Sequence, residues 1–203
     1  MKRSTFVGIV ALFVLVWLYL KRLRPWQLRW GATDEDIKRA MVGDEIVDQP
    51  SFNATRAVTI QASAAQIYPW IVQMGVTRAG WYSYDLLDNL GRPSAERILP
   101  EHQKIQVGDL IPLSPDGKQG MWVKEFQQNQ SMVWWDPKGD SSWVWGIYPA
   151  GETATRLVTR VRVKYHLFSP AIFFNLLIEF GDIVMMRKCL LGIKRRAEAM
   201  PVS

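Results

Sequence analysis

The densest group of chemically capable side chains in this sequence is GWYSYD at residues 80–85. Trp81, Tyr82, Ser83, Tyr84 and Asp85 place an indole N–H, two phenols, a hydroxyl and a carboxylate directly behind a glycine hinge. Aromatic faces with polar tips suit a pocket for a small amphipathic molecule. Asp85 becomes a general base if burial lifts its pKa, with Tyr82 or Tyr84 as acid–base partner. The plainer role for Asp85 is to fix the start of a helix, with the rings as ordinary core. A second group is the tryptophan run Trp122, Trp134, Trp135, Trp143 and Trp145. Alternation along a strand puts Trp143 and Trp145 on one face and sends Trp134 and Trp135 to opposite faces. Trp81, Tyr82, Tyr84, Trp122, Trp135, Trp143 and Trp145 are therefore the candidate ligand-binding residues.

Other chemistries lack their residues. The two histidines, His102 and His166, lie far apart, and no HExxH, CxxC or DxDxDG pattern occurs, so neither a metal nor a cofactor is expected. No phosphate-binding glycine loop and no GxSxG elbow is present. The single cysteine, Cys189, excludes a disulfide framework within the chain and reads as a buried helix residue. Net charge is +6, from 25 Lys+Arg against 19 Asp+Glu. Lys2, Arg3, Lys21, Arg22 and Arg24 supply most of that excess, so the rest of the chain is almost neutral and poorly suited to nucleic acid.

The elements that must hold these residues follow from periodicity and turn chemistry. Residues 56–62 alternate as a strand, Ser63 caps a helix over 64–74, and Gly75 ends it. A short helix is expected over 82–90. Strands at 109–113, 121–127, 131–136, 142–149 and 155–166 are separated by Gly-, Asn- and Asp-containing turns. Ser169 and Pro170 then open a long helix that runs to about Glu198. Glu179 and Asp182 interrupt its apolar character, which argues against a membrane span there. An antiparallel sheet curved around that helix, an α+β architecture, buries one face of each. In the last strand Arg156, Arg160, Arg162 and Lys164 share the face away from Leu157 and Val161. A solvated sheet face is the expected setting of this basic row, with anionic lipid headgroups as the alternative contact.

The N-terminus is different in kind. Residues 4–20 carry no charge and are almost all apolar, which predicts a short transmembrane helix within an anchor at 1–24. Basic residues accumulate after it, which places the main domain on the cytoplasmic side. Residues 25–51 read as a linker with one short helix opened by Thr33, and residues 52–203 as the domain proper.

This element order, with ATRAVTIQASAAQIYPWIVQMG at residues 54–75 and RKCLLGIKRRAE at 187–198, resembles the START-like or SRPBCC superfamily of polyketide cyclase/dehydrase type. The resemblance implies a helix-grip fold and non-covalent binding of a lipid-like or aromatic small molecule between the sheet and the last helix. The expected function is membrane-anchored binding of such a molecule. The alternatives are a pocketless interaction module, or a cyclase- or dehydratase-like enzyme using Asp85 with Tyr82 or Tyr84.

Overall fold

The computed structural model describes residues 3–165 and 171–201. His166, Ser169 and Pro170, read above as a strand end and a helix start, lie outside the described residues. The chain opens with α1 (Arg3–Leu18), a stretch of wider π-helical pitch (Tyr19–Leu23) and α2 (Arg24–Leu28). Among the described residues no helix is long and apolar enough to cross a membrane. The span expected over 4–20 takes the form of α1, whose 16 residues cover about 24 Å at ~1.5 Å per residue, short of a ~30 Å hydrocarbon core.

Next comes α3 (Asp34–Lys38). Thr33 and Asp36 satisfy each other's backbone at its start: the Asp36 N–H donates to Thr33 Oγ1 at 3.2 Å, and the Thr33 N–H donates to Asp36 Oδ2 at 2.8 Å. The remaining elements are β1 (Phe52–Ile60), α4 (Ala64–Val72), α5 (Asp85–Asp88), β2 (Leu110–Pro112), β3 (Gly120–Gln127), β4 (Ser131–Trp135), β5 (Ser141–Pro149), β6 (Thr155–Val163) and α6 (Ala171–Glu198). The six strands form one antiparallel sheet in the order β1-β6-β5-β4-β3-β2. Sequential hairpins explain β2 to β6, and β1 closes the far edge by pairing with β6 from Phe52↔Val163 to Ile60↔Thr155.

The inner face of the sheet packs against α4 and α6. Ile60, Ile67, Trp70, Trp134, Trp145, Leu190 and Ile193 belong to that core. Short α5 is the clearest departure from the sequence expectation of a helix over 82–90. Tyr82 and Leu90 both have positive φ, 57° and 55°, which helical backbone does not allow, so only the four residues between 85 and 88 are helical.

The outer face is covered too along β1, β6, β5 and β4, and this corrects the reading of the basic row as a solvated face. Residues 29–50 fold across it. Arg156 pairs with Asp36 at 2.6 Å, and Arg160 pairs with Asp44 at 2.6 Å while also donating to the carbonyls of Asp36, Ile37 and Arg39. Arg162 lies 3.4 Å from the same Asp44 carboxylate. Met41, Ala57, Val133, Val144 and Val158 fill the apolar ground between these pairs. The arginines are thus consumed within the chain and not offered to lipid headgroups. At the sheet edge Gly31, with φ 70°, lies so close to β1 that a Cβ there would sit 2.2 Å from the Ala57 carbonyl oxygen.

Arg160 is only 4% exposed and holds three carbonyls and a carboxylate together. Arg160→Ala leaves those acceptors without their donor and is expected to cost about 3 kcal/mol of stability, read from denaturant unfolding. A loss below about 1 kcal/mol would contradict this account of how the segment is held.

Candidate functional site

The residues 81–83 are fixed from four directions before any cavity is formed. The Tyr82 N–H donates to Ser94 Oγ at 3.1 Å, and the Tyr82 hydroxyl donates to the Trp70 carbonyl at 3.0 Å. Ser83 Oγ donates to the Met185 carbonyl on α6 at 3.0 Å. Gly192, one further stretch along α6, lets the two backbones touch: a Cβ there would lie 2.2 Å from the Tyr82 carbonyl oxygen and 2.8 Å from Tyr82 Cβ. With Tyr82 turned inward and away, its neighbours Trp81 and Ser83 face the space between α6 and the sheet.

That space is a cavity of about 540 Å³, lined by Trp81, Ser83, Asp88, Trp143, Met186 and Cys189 among others. Its mouth carries Leu87, Leu90 and Leu113, all exposed. The wall behind it is a cluster of four tryptophans. Trp81 stacks on Trp143 at 5.5 Å with planes 12° apart, Trp134 meets Trp143 edge-on at 5.1 Å, and Trp145 lies 5.3 Å from Trp143. Trp143 is oriented by its own N–H, which donates to Thr159 Oγ1 at 2.8 Å. A groove of about 650 Å³ near the ends of β4 to β6 is lined instead by Gln127, Asn129, Gln130 and Glu152, away from the tryptophans.

The structure separates the residues singled out from sequence. Trp81 and Trp143 meet at the cavity. Trp145 shares the face of Trp143, as alternation requires, but is fully buried behind it. Trp134 points inward and Trp135 outward, where Lys124 lies over its ring at 4.1 Å. Trp122, paired with Trp135 across the strands, is on the exposed side, and Tyr84 is also exposed. Tyr82, Tyr84 and Asp85 do not converge on one point: the Tyr82 hydroxyl is spent on Trp70, and Asp85 accepts from Ser94 Oγ at the start of α5.

Sequence reasoning passed over Asp88, Asp182, Met185 and Met186, which line the cavity from α5 and α6. Asp88 is the most unusual of them. Both of its carboxylate oxygens are buried without a protein hydrogen bond in good geometry, since the adjacent Ser83 hydroxyl is directed to Met185. Burial pushes its carboxyl above the usual carboxylate value; Ser83 opposes the shift and the Asp85 charge adds to it. Asp182 is also pushed up by burial, with Arg56 opposing at 2.6 Å. Burial raises the Cys189 thiol as well, so it stays protonated and unreactive. Among the described residues no cluster of His, Cys, Asp and Glu fit to hold a metal ion occurs.

No protein-family description matches the chain, and no curated protein sequence does. Solved structures similar to it include a polyketide cyclase-like protein from Corynebacterium glutamicum. That match has 16% identity and a TM-score of 0.46, and covers 70% of this chain and 89% of that one. The Aha1 dimer from Colwellia psychrerythraea is similar at 15% identity and a TM-score of 0.43, over 72% of this chain and 96% of that one. The self-sacrificing resistance protein CalC from Micromonospora echinospora is similar at 11% and 0.41, over 72% and 94%. The six-stranded antiparallel sheet packed against the long C-terminal helix of this chain fits a helix-grip arrangement. Likeness at these levels says nothing of activity.

The helix-grip closes here at Gly192. Alanine has the better helix propensity by about 1 kcal/mol, so Gly192→Ala stabilises an unconstrained helix. With Tyr82 in the way, the same change is expected to lower stability by about 2–3 kcal/mol in thermal or denaturant unfolding. A gain in stability would show that α6 does not press on residues 81–83.

Proposed function

We propose that this protein binds a hydrophobic or amphipathic small molecule non-covalently in the cavity between the sheet and α6, and does so at a membrane. The observation that carries the binding reading is the cavity itself. Its volume of about 540 Å³ falls within the ~300–1,000 Å³ usual for small-molecule sites. Its walls are tryptophan, leucine and methionine with a few polar groups. A filled core would leave no such space, and the scatter of Tyr82, Tyr84 and Asp85 gives the enzyme reading no catalytic centre built from those residues.

The membrane part rests on the N-terminal helix. Phe13, Leu15 and Trp17 on α1 are exposed, and apolar side chains in that position are stabilised by lipid and not by water. The exposed ring of Leu87, Leu90 and Leu113 makes the cavity mouth a second apolar surface. Lys21 and Arg22 follow the apolar stretch, and they favour the cytoplasmic side for the main domain. A ligand of low aqueous solubility then has a short route from bilayer to cavity.

Gly181 supplies the test. It lines the cavity from α6, and a Cβ built there meets nothing within 4 Å, so a side chain can leave the backbone at this position without a clash. Gly181→Phe is expected to weaken binding of the uncharged dye 1-aminoanthracene at least ~10-fold while stability is unchanged or slightly raised. Equal affinity in the variant, or no saturable dye binding to the wild type, would count against the cavity as the binding site. For the membrane part, the full chain is expected to float with phosphatidylcholine vesicles, and a chain lacking residues 1–24 to remain in the dense fraction. Flotation of the truncated chain alone would move the attachment to the cavity mouth.

A further inference from the structure

The charged side chains that line the cavity are of one sign. Among its lining residues the ionisable carboxylates are Asp88 and Asp182, and no Lys, Arg or His takes part. Asp182 is matched by Arg56, which approaches from β1 at 2.6 Å and is itself buried. Asp88 has no such match. Its oxygens lie within the wall with no hydrogen bond in good geometry, and the Ser83 hydroxyl and the Tyr84 and Asp88 amides only partly offset its burial. The Asp85 carboxylate, one helical turn before it, adds to the negative potential there. An unpaired carboxylate in apolar surroundings is costly, and the group that removes the cost is a cation. The rest of the wall suits a cation as well. Trp81 and Trp143 present ring surfaces, which attract positive charge, and Met185 and Met186 present polarizable thioethers.

Resting on the reading of the cavity as a small-molecule site, we propose that its ligand is an amphipathic amine. The protonated or quaternary nitrogen lies against the Asp88 side of the cavity, and the apolar body fills the space between the tryptophans and α6. The same charge distribution rejects fatty acids and other anionic amphiphiles, which would set a second negative charge beside Asp88 with no counter-ion in the wall. Selection between heads is therefore electrostatic, and selection of the body is by apolar fit.

Three molecules with one body and different heads isolate the effect: 4-phenylbutylamine, 4-phenylbutanol and 4-phenylbutyrate. Their binding to the full chain in phosphatidylcholine nanodiscs is measured by ligand-observed NMR at neutral pH, with empty nanodiscs as reference. The amine is expected to bind at least ~10-fold tighter than the alcohol, and the carboxylate weaker than both. Asp88→Asn, which removes the charge while keeping the size of the side chain, is expected to keep alcohol binding and abolish the preference for the amine. Equal binding of amine and alcohol by the wild type, or an unchanged preference in Asp88→Asn, would overturn the proposal and leave the cavity reading intact. Failure of all three to bind would overturn the cavity reading together with it. Octadecylamine carried in the nanodisc bilayer separates the sources of the amine. Competition with 4-phenylbutylamine identifies a membrane-borne amine, and absence of competition with the preference intact identifies a free one; either supports the amine class.

Discussion

The contact on which the site depends is between two backbones, Tyr82 on the loop before α5 and Gly192 on α6. The Tyr82 carbonyl oxygen occupies the place a Cβ of residue 192 would need. Tyr82 holds this position at φ 57°, a conformation that costs a non-glycine residue on the order of 1–3 kcal/mol. The surroundings offset that cost through the Trp70 carbonyl, Ser94 and the burial of the ring. The consequence for function lies in the neighbours. Because Tyr82 faces away, Trp81 and Ser83 face the cavity, and Ser83 ties the loop to the α6 carbonyl that Met185 supplies. One small residue on the helix and one strained residue on the loop therefore set the depth of the cavity.

Ion pairs hold the same helix from its other end. Glu179 is buried and accepts from Tyr19, Arg24 and Gln27, and Asp182 pairs with Arg56 on β1. The N-terminal helical run is thereby tied to the part of α6 that borders the cavity. A single pair of this kind contributes little when exposed, but removal of one member is costly when its partner stays buried. The outer face of the sheet repeats the device with Arg156 and Arg160. Over β1, β6, β5 and β4 both faces of the sheet are thus covered, and the tryptophan cluster sits on that doubly covered part.

The strands were legible because alternation and turn residues are local signals: the expected strand over 142–149 and the observed β5 (Ser141–Pro149) differ by one residue. The two helix starts at Thr33 and Ser63 were legible for the same reason, each with an acceptor three residues on. What escaped were features that need a partner distant in sequence. Arg160 looks like surface until Asp44 and three carbonyls are brought to it. YSYDLLDNL has a helical stripe, but the turn at Tyr82 is imposed by α6, 110 residues away. Within that segment Asp85 and Asp88 are equivalent by type, and only the fold decides that Ser94 satisfies the first while the second borders the cavity unsatisfied. Gly192 carries no sign in the sequence that its missing side chain matters.

Native mass spectrometry of the full chain, purified gently, tests the central claim most directly. The account predicts one small-molecule adduct per chain, of a single defined mass and with a basic nitrogen in its fragmentation pattern, absent from Gly181→Phe. A clean unliganded mass that also takes up nothing from a total lipid and amine extract would contradict it.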